Sequence, residues 1–418
     1  MAPTLQFPCG SVWRKWDLHV HTPASVVHNY TGSPDAWSAF LDDLEALPPE
    51  FKVLGINDYI FLDGYRRLLQ EKSRGRLKNI DLLLPVIELR LDKFGGSSGK
   101  LSKVNYHVIF SNELAPDVIE QHFLNALTQS YQVSPQYAAV TKKRWEALPT
   151  RKAIEDLGKL IIESVPQSEK GKFGPPLLEG FNNLCVSLKA VEDALKSHYF
   201  DKKALTAVGK TEWADIKWND HSIAEKKNII NSADLVFIAS ASPEEWAHAK
   251  EKLTEGGVND RLLDCSDAHW NTTSSDKNRV GNCFTWIKAD PTFEGLLQVL
   301  NEPDERVFIG ELPPQLILVR KNTTKYINSI RIVRKSSANL SEIWFDNTIP
   351  LNAGLVAIIG NKGKGKSALT DTIGLLCNTR QHRDFTFLSP DSFCQPKDNK
   401  AKHFQATLSW ESDVTGDS

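Results

Sequence analysis

Trp16-Asp17-Leu18-His19-Val20-His21-Thr22-Pro23 places two histidines one residue apart, just after a short run ending in Leu18. The pattern reads as the end of a β-strand. Side chains on a strand alternate faces, so His19 and His21 point the same way and can share one metal ion. The alternative is a pair of core histidines, which would have to satisfy four ring nitrogens without an ion. Further ligands must come from other parts of the chain.

Working outward, Val53-Leu54-Gly55-Ile56 ends in Asn57-Asp58-Tyr59, Leu82 to Ile87 ends in Glu88, and Val108-Ile109-Phe110 follows His107. Short apolar strands with polar residues at their ends, separated by helical segments, predict a parallel α/β sheet or barrel. In such folds the C-terminal strand ends gather on one face. That face would collect His19, His21, Asp58, Glu88 and His107. From about 113 to 230 helical spacing takes over, in Leu114–Tyr131, Lys152–Ser164, Leu178–Tyr199 and Ser222–Ser232, predicting a helical insertion. It carries the basic cluster Lys142-Lys143-Arg144 with Arg151-Lys152, which reads as a solvated helix face or as a nucleic-acid contact. The sheet resumes with strand 235–239, helix Pro243–Leu253 and strand Arg261–Cys265. Ser266-Asp267-Ala268-His269 then offers two more ligands one residue apart. Residues 281–310 read as the last strand and helix of this domain.

The 418 residues suggest two or three domains. The 41% hydrophobic and 24% charged fractions are those of a globular chain, and a net charge of −2 gives no global pull toward polyanions. The cysteines Cys9, Cys185, Cys265, Cys283, Cys377 and Cys394 are scattered without paired spacing, which fits a reducing compartment. No signal peptide or membrane-spanning run is evident, so a cytoplasmic protein without a membrane partner is expected.

Glu311-Leu312-Pro313-Pro314 marks the expected domain boundary, giving a first domain at 1–312. The stretch 313–340 reads as a basic β connector, with Arg320, Lys321, Lys325, Arg331, Arg334 and Lys335 on one face. Residues 341–418 read as a further domain, with strands at Glu342–Phe345, Leu355–Ile359 and Phe404–Trp410. Gly360-Asn361-Lys362-Gly363-Lys364-Gly365-Lys366-Ser367 fits G-x-x-x-x-G-K-[ST] between an apolar strand and the helix that Ala368 opens, the context of a P-loop. Gly360, Asn361, Gly363 and Gly365 let backbone N–H groups wrap a phosphate, while Lys366 reaches the β/γ-phosphates and Ser367 binds Mg²⁺. ATP with Mg²⁺ is the expected ligand, and Gln395 is a candidate to approach its γ-phosphate. No apolar strand ending in Asp-Glu and no Ser-Gly-Gly signature follow the loop.

His19-x-His21, Asn57-Asp58, Glu88, His107 and Ser266-Asp267-x-His269 resemble, in order, the motifs of the PHP (polymerase and histidinol phosphatase) superfamily. With the P-loop, the chain resembles TrlF-like PHP–ATPases, in which a PHP domain precedes an SMC/ABC-type ATPase head and whose relatives are associated with anti-phage defence. The resemblance implies a distorted (β/α)7 barrel hydrolysing phosphoesters with one to three Zn²⁺, Mn²⁺ or Fe²⁺ ions. It implies that His19, His21, Glu88 and Asp267 hold one ion, that Glu88 bridges to a second with His107, and that His269 serves a third. Asp58, Glu88 and Asp267 are the expected catalytic carboxylates. The sequence departs from the family at Tyr59, where a histidine is usual, and at Ala239–Ser242, where another often stands; His28 is a candidate to compensate. The expected function is a nuclease acting on DNA or RNA, gated by an ATPase head and assembling through such heads. A small-molecule phosphatase and a non-catalytic sensor with a degenerate site are the alternatives.

Overall fold

A computed structural model describes residues 7, 9–95, 102–131, 149–209, 223–340, 346–412 and 415–417. Two units emerge, Trp13–Glu311 and Leu312–Ser418 with Met1–Val12.

The first unit is a mixed α/β structure built on one nearly closed, barrel-like sheet. Its strands are β1 (Trp13–Val20), β2 (Phe51–Asn57), β3 (Leu82–Gly95), β4 (Ser102–Phe110), β5 (Cys185–Val186), β6 (Ala204–Gly209), β7 (Leu235–Ile238), β8 (Leu262–Asp264), β9 (Thr285–Lys288) and β10 (Val307–Ile309). They run in the order β10-β9-β1-β2-β3-β4-β6-β7-β8, with β5 beside β3. The chain just beyond β8 returns to β1 through a parallel bridge between Ala268 and Val20, which brings the two ends of the ring together. β1-β2-β3 and β6-β7-β8 are parallel, as the alternation of strands and helices predicts. β4 is antiparallel to both β3 and β6, a departure from the all-parallel expectation. The short link between β3 and β4 leaves no length for a crossover helix, so the strands fold back as a hairpin.

Alternation along the strands sorts the core into two faces. Val53 of β2, Leu84 and Val86 of β3, Ile109 of β4, Phe237 of β7 and Leu263 of β8 share one buried cluster with Trp16 and Leu18. The residues between them, such as Leu54, Ile87, Val108 and Val236, pack with the surrounding helices in a larger cluster. Extending the first face along each strand by the period of two reaches Asn57, Glu88, His107 and Asp267. β1 obeys this only because of an irregularity: Asp17 pairs with Leu54 and Val20 with Ile56, so β1 carries one extra residue there. Such a bulge switches which side chains face inward. Trp16 and Leu18 lie in the first cluster, Val20 in the second, and His19 and His21 turn to the first face. Gly55 makes room for the bulge, since a Cβ there would lie 2.4 Å from the Leu18 carbonyl oxygen.

The 113–230 segment is less purely helical than expected. The helix Arg151–Glu163 matches, but Leu178–Tyr199 divides into helices Pro176–Asn182 and Leu188–Leu195 around β5, and β6 returns to the main sheet. Cys185-Val186 is buried and pairs with Arg90-Leu91, so strand pairing overrides helical spacing there. Lys142-Lys143-Arg144 lies outside the described residues. Arg151 bonds the Ala24 carbonyl and faces Asp63, and Lys152 pairs with Asp156, so both cations have intramolecular partners.

The second unit holds a sheet in the order β12 (Asn347–Pro350), β11 (Ile327–Arg334), β13 (Phe404–Trp410), β14 (Thr415–Asp417). The helix Lys366–Leu376 lays Leu369 against Ile330, Ile332, Phe404 and Leu408. Residues Pro314–Lys321 form a helix rather than a basic strand, started by Pro313-Pro314. Only β11 of the proposed connector is a strand, with Arg331 and Arg334 exposed. The strand expected at Glu342–Phe345 lies outside the described residues. Leu355–Ile359 is not the buried strand its composition predicts: Leu355 is 99% and Ile359 89% exposed, and none of these residues belongs to a described strand. An apolar run becomes a buried strand only where neighbouring strands take up its backbone groups, and no described strand flanks this one.

The bulge gives the first prediction. Gly55→Ala should lower the unfolding free energy by about 1–3 kcal/mol, the usual cost of overpacking. Urea denaturation measures it, and an unchanged midpoint would show that the β1 bulge is not held by this close approach.

Candidate metal centre

The polar end of the ring's first face is where distant parts of the chain meet. His19 and His21 come from the end of β1 and Asn57 from the end of β2. Glu88 and His107 are direct cross-strand partners in β3 and β4, and Asp267 follows β8. His19, His21, Glu88 and His107 are buried, while a third of the Asp267 side chain is exposed. The donors crowd around one point. His19 Nε2 lies 3.1 Å from His21 Nε2, 3.1 Å from Asp267 Oδ1 and 3.5 Å from Glu88 Oε2. His21 Nε2 lies 3.3 Å from Asp267 Oδ1 and 4.0 Å from Glu88 Oε2. A tetrahedral ion with bonds of ~2.0–2.1 Å would set its donors ~3.4 Å apart, so the set has the right span.

Among the described residues, two groups could hold an ion: His19, His21 and Asp267, and His19, Glu88 and His107. The two share the single Nε2 of His19. His107 supplies an independent sign. Both of its ring nitrogens are buried and, among the described residues, meet no hydrogen-bond partner, although His107 Nε2 sits 3.6 Å from Glu88 Oε2. A buried, unsatisfied imidazole is costly unless something occupies its lone pair. The donors' outer atoms are fixed as well. His21 Nδ1 meets Ser25 Oγ at 2.9 Å, and Tyr30 donates its hydroxyl to His21 O at 2.9 Å. His269 Nδ1 faces Val27 O at 3.1 Å; a carbonyl only accepts, so Nδ1 carries a proton and donates it there. That Nε2 is 3.5 Å from Asp267 Oδ1, and the ring stacks on His21 at 4.0 Å.

The charge states suit a cation. Burial by itself would raise Glu88, but Arg90, His107 and His19 hold it well below the usual carboxylate range. Burial likewise opposes ionisation of Asp267, and His19, His21 and His269 overcome it. Burial and the His269 charge push His21 down to about 3, and burial lowers His107, so both rings are neutral at pH 7. Burial also disfavours a charged His19, but Asp267 and Glu88 override it and raise its pKa.

The remaining expected residues fall elsewhere. Asp58 is not aimed at the cluster: Oδ1 accepts from Thr22 N at 2.9 Å and Oδ2 from Thr22 Oγ1 at 2.8 Å, which spends both oxygens on fixing the turn after His21. Burial pushes Asp58 up to about 6, only partly offset by those bonds. Both oxygens of the expected catalytic Asp58 thus hold the Thr22 turn, and Asp58 belongs to neither group that could hold an ion. His28 is exposed and lies against Tyr30, outside both groups. Tyr59, at the variant position, packs its ring between His21 at 4.9 Å and Phe181 at 4.6 Å, so the space is filled by aromatic carbon. Sequence reading missed Asn57, whose Nδ2 lies 2.7 Å from His19 Nε2 and 2.8 Å from Glu88 Oε2. It also missed Arg90, which pairs with the other oxygen of Glu88. Both sit within two residues of a named ligand on a strand of known face, a signal that was available.

In the second unit, Lys362–Ala368 lines a cavity of about 880 Å³ with Thr386, Phe387 and Ser392. Gly360, Gly363 and Gly365 all have positive φ, the backbone form a tight loop around a ligand requires. Lys366 Nζ donates to Gly360 O at 2.7 Å and Asn361 O at 3.1 Å, holding the loop closed on itself. Gln395 does not line this cavity, and its side chain bonds Asp391 O instead. Among the described residues, no helix is long and apolar enough to cross a membrane. No protein-family profile matches the chain, and no curated protein matches it.

Asp264 ties the strand ends that carry the centre. Its Oδ1 takes Ser240 N and the Ser240 hydroxyl, and its Oδ2 takes Phe284 N. Burial raises it to about 7 despite these bonds. The folded state thus keeps a proton that the unfolded chain, with an ordinary aspartate near 3.8, releases. Between these values the folded form binds more protons, so this contribution to stability is present at low pH and is lost as pH rises toward 7. Relative to Asp264→Asn, the wild type should lose stability between pH 4.5 and 7 in urea titrations. A difference that stays flat over that range would contradict the assignment.

Proposed function

We propose that the Trp13–Glu311 unit is a divalent-metal phosphoesterase acting on nucleic acid, and that the second unit binds ATP with Mg²⁺ and regulates it. The observation that carries the first part is the convergence of His19, His21, Glu88, His107 and Asp267, with the His107 nitrogens buried and unpartnered. His19, His21, Glu88 and Asp267 would hold one ion; His107 with Glu88 would serve a second. A bound divalent ion supplies Lewis-acid polarisation of a phosphoryl oxygen and a water that ionises near neutral pH. Zn²⁺, Mn²⁺ and Fe²⁺ all suit this imidazole and carboxylate set.

The chain's own residues do the rest. Arg90 keeps Glu88 anionic, and Thr22 with Asp58 fixes the turn that carries His21. His269, its Nδ1 committed to Val27, offers Nε2 beside Asp267 as a proton acceptor or a further donor to an ion. The cavity at the centre, about 260 Å³, is lined by His19, His107 and Asp267 on one side and by Phe237, Ile238 and Ala239 on another. The filled position at Tyr59 favours one or two ions over three. The confined cavity favours a second reading, hydrolysis of a small phosphomonoester, which a substrate panel separates from nuclease action. The nucleic-acid reading is supported by the glycine-rich loop carried on the same chain and by the exposed Arg331 and Arg334 of β11, which suit phosphate contacts.

Incubation with Mn²⁺ and labelled DNA or RNA tests the enzyme reading. Wild type should cleave and the His19→Ala/His21→Ala variant should not; equal cleavage by both would place the activity elsewhere, and none by wild type on any phosphoester would favour a non-catalytic sensor. Separately, Lys366→Ala should abolish ATP binding in a calorimetric titration while leaving metal content unchanged. Retained ATP binding would remove the loop from the account.

A further inference from the structure

The two oxygens of Asp267 have different surroundings. Oδ1 faces the imidazoles, 3.1 Å from His19 Nε2, 3.3 Å from His21 Nε2 and 3.5 Å from His269 Nε2. Oδ2 instead accepts from Asn278 Nδ2 at 3.0 Å. The same residue grips the turn a second way: Asn278 O accepts from His269 N at 2.8 Å and from Trp270 N at 3.2 Å. The amide orientation is fixed by chemistry, because its carbonyl oxygen turned toward Asp267 would meet a carboxylate that has no proton to give. Among the described residues, Asn278 Oδ1 is left buried without a partner, so the side chain gives up one hydrogen bond to make the other.

The grip has a task. Asp267 sits at φ +46°, in the left-handed region that a non-glycine residue enters at a cost. Its neighbours lock that conformation: His21 N donates to Ala268 O at 3.1 Å, and Tyr30 donates its hydroxyl to the same oxygen at 2.9 Å. These bonds fix the backbone but do not touch the carboxylate. Its Oδ1 is met by the three imidazoles, and the Asn278 amide is the contact that restrains it from the Oδ2 side. Asn278 is itself anchored, since its N–H donates to Asp276 Oδ1 at 2.8 Å, while Lys277 beside it donates to Ala239 O at 2.9 Å and Asn282 to Lys277 O at 2.7 Å. The loop after β8 is thereby tied to the end of β7.

We infer that Asn278 is a positioning residue of the metal centre, holding Asp267 Oδ2 so that Oδ1 stays aimed at the ion bound by His19 and His21. This rests on the metal reading given above. Partners that orient a ligand in this way typically contribute 10–100-fold to metal affinity.

The test measures Mn²⁺ and Zn²⁺ affinity by calorimetry for wild type, Asn278→Leu, Asp267→Asn and the double variant, with thermal melts of each in EDTA. Asn278→Leu keeps the volume but removes the donor; it should weaken metal binding about 10–100-fold, with its EDTA melt within a few degrees of wild type. In the Asp267→Asn background it should have little further effect, since its influence runs through that carboxylate. Asn278→Ser, which leaves the backbone carbonyl in place, gives the same comparison should the leucine variant not fold. Unchanged affinity in Asn278→Leu, or a loss that persists in full without Asp267, would overturn the role of Asn278 while leaving the centre standing. A wild type that takes up neither ion would overturn the centre, and this inference with it.

Discussion

The structure turns on a single electrostatic constraint: two anionic carboxylates and three imidazoles crowded together, with four of the five buried and neighbouring donor atoms 3.1–4.0 Å apart. Glu88 and Asp267 are held ionised at a site where burial alone would neutralise them. His21 and His107 are held neutral, and among the described residues no hydrogen bond is made to the His107 ring, whose Nε2 lies 3.6 Å from Glu88 Oε2. Such a set is expensive to assemble from side chains alone, because each desolvated group must find a compensating partner. A divalent cation would compensate His19, His21 and Asp267 together, or His19, Glu88 and His107, and the donor spacings have the span that one requires.

Geometry upstream of the centre serves this convergence. The extra residue in β1 turns His19 and His21 onto the face that Glu88 and His107 already occupy, and Gly55 leaves space for the backbone that does so. The antiparallel pairing of β3 with β4 sets Glu88 directly opposite His107. Asp58, Asp264 and Asn278 each spend polar atoms on loops that follow strands, fixing the turns after β1, β7 and β8. Asp58 and Asp264 do not touch the donors, and Asn278 meets only the outer oxygen of Asp267. Their part is to remove rotational freedom from ligands that would otherwise pay for order when an ion binds.

Much of this was legible in the chain. The paired histidines, Glu88 at the end of an apolar run and Asp267-x-His269 after β8 all follow from strand alternation, and the structure brings them to one place. The limits are physical. Asp58 looks like a ligand because the sequence shows a carboxylate at a strand end, but not that its oxygens turn to Thr22. Alternation also predicts that β1 keeps one face throughout, and a bulge is not written in hydrophobic pattern. Asn57 and Asn278 are uncharged amides, so charge patterning passes over them although both touch the centre. Leu355–Ile359 shows the converse failure: composition identifies an apolar strand, but pairing depends on neighbours that local sequence does not describe. The glycine-rich loop was readable because its form depends on Gly360, Gly363 and Gly365 themselves rather than on distant partners.

The most direct measurement is an anomalous difference map from crystals grown with Mn²⁺ or Zn²⁺. The account predicts a peak within ~2.0–2.2 Å of His19 Nε2, His21 Nε2 and Asp267 Oδ1, with Glu88 completing the set. A map with no peak there, or with the ion bound by other residues while these side chains keep their hydrogen bonds to one another, would contradict it.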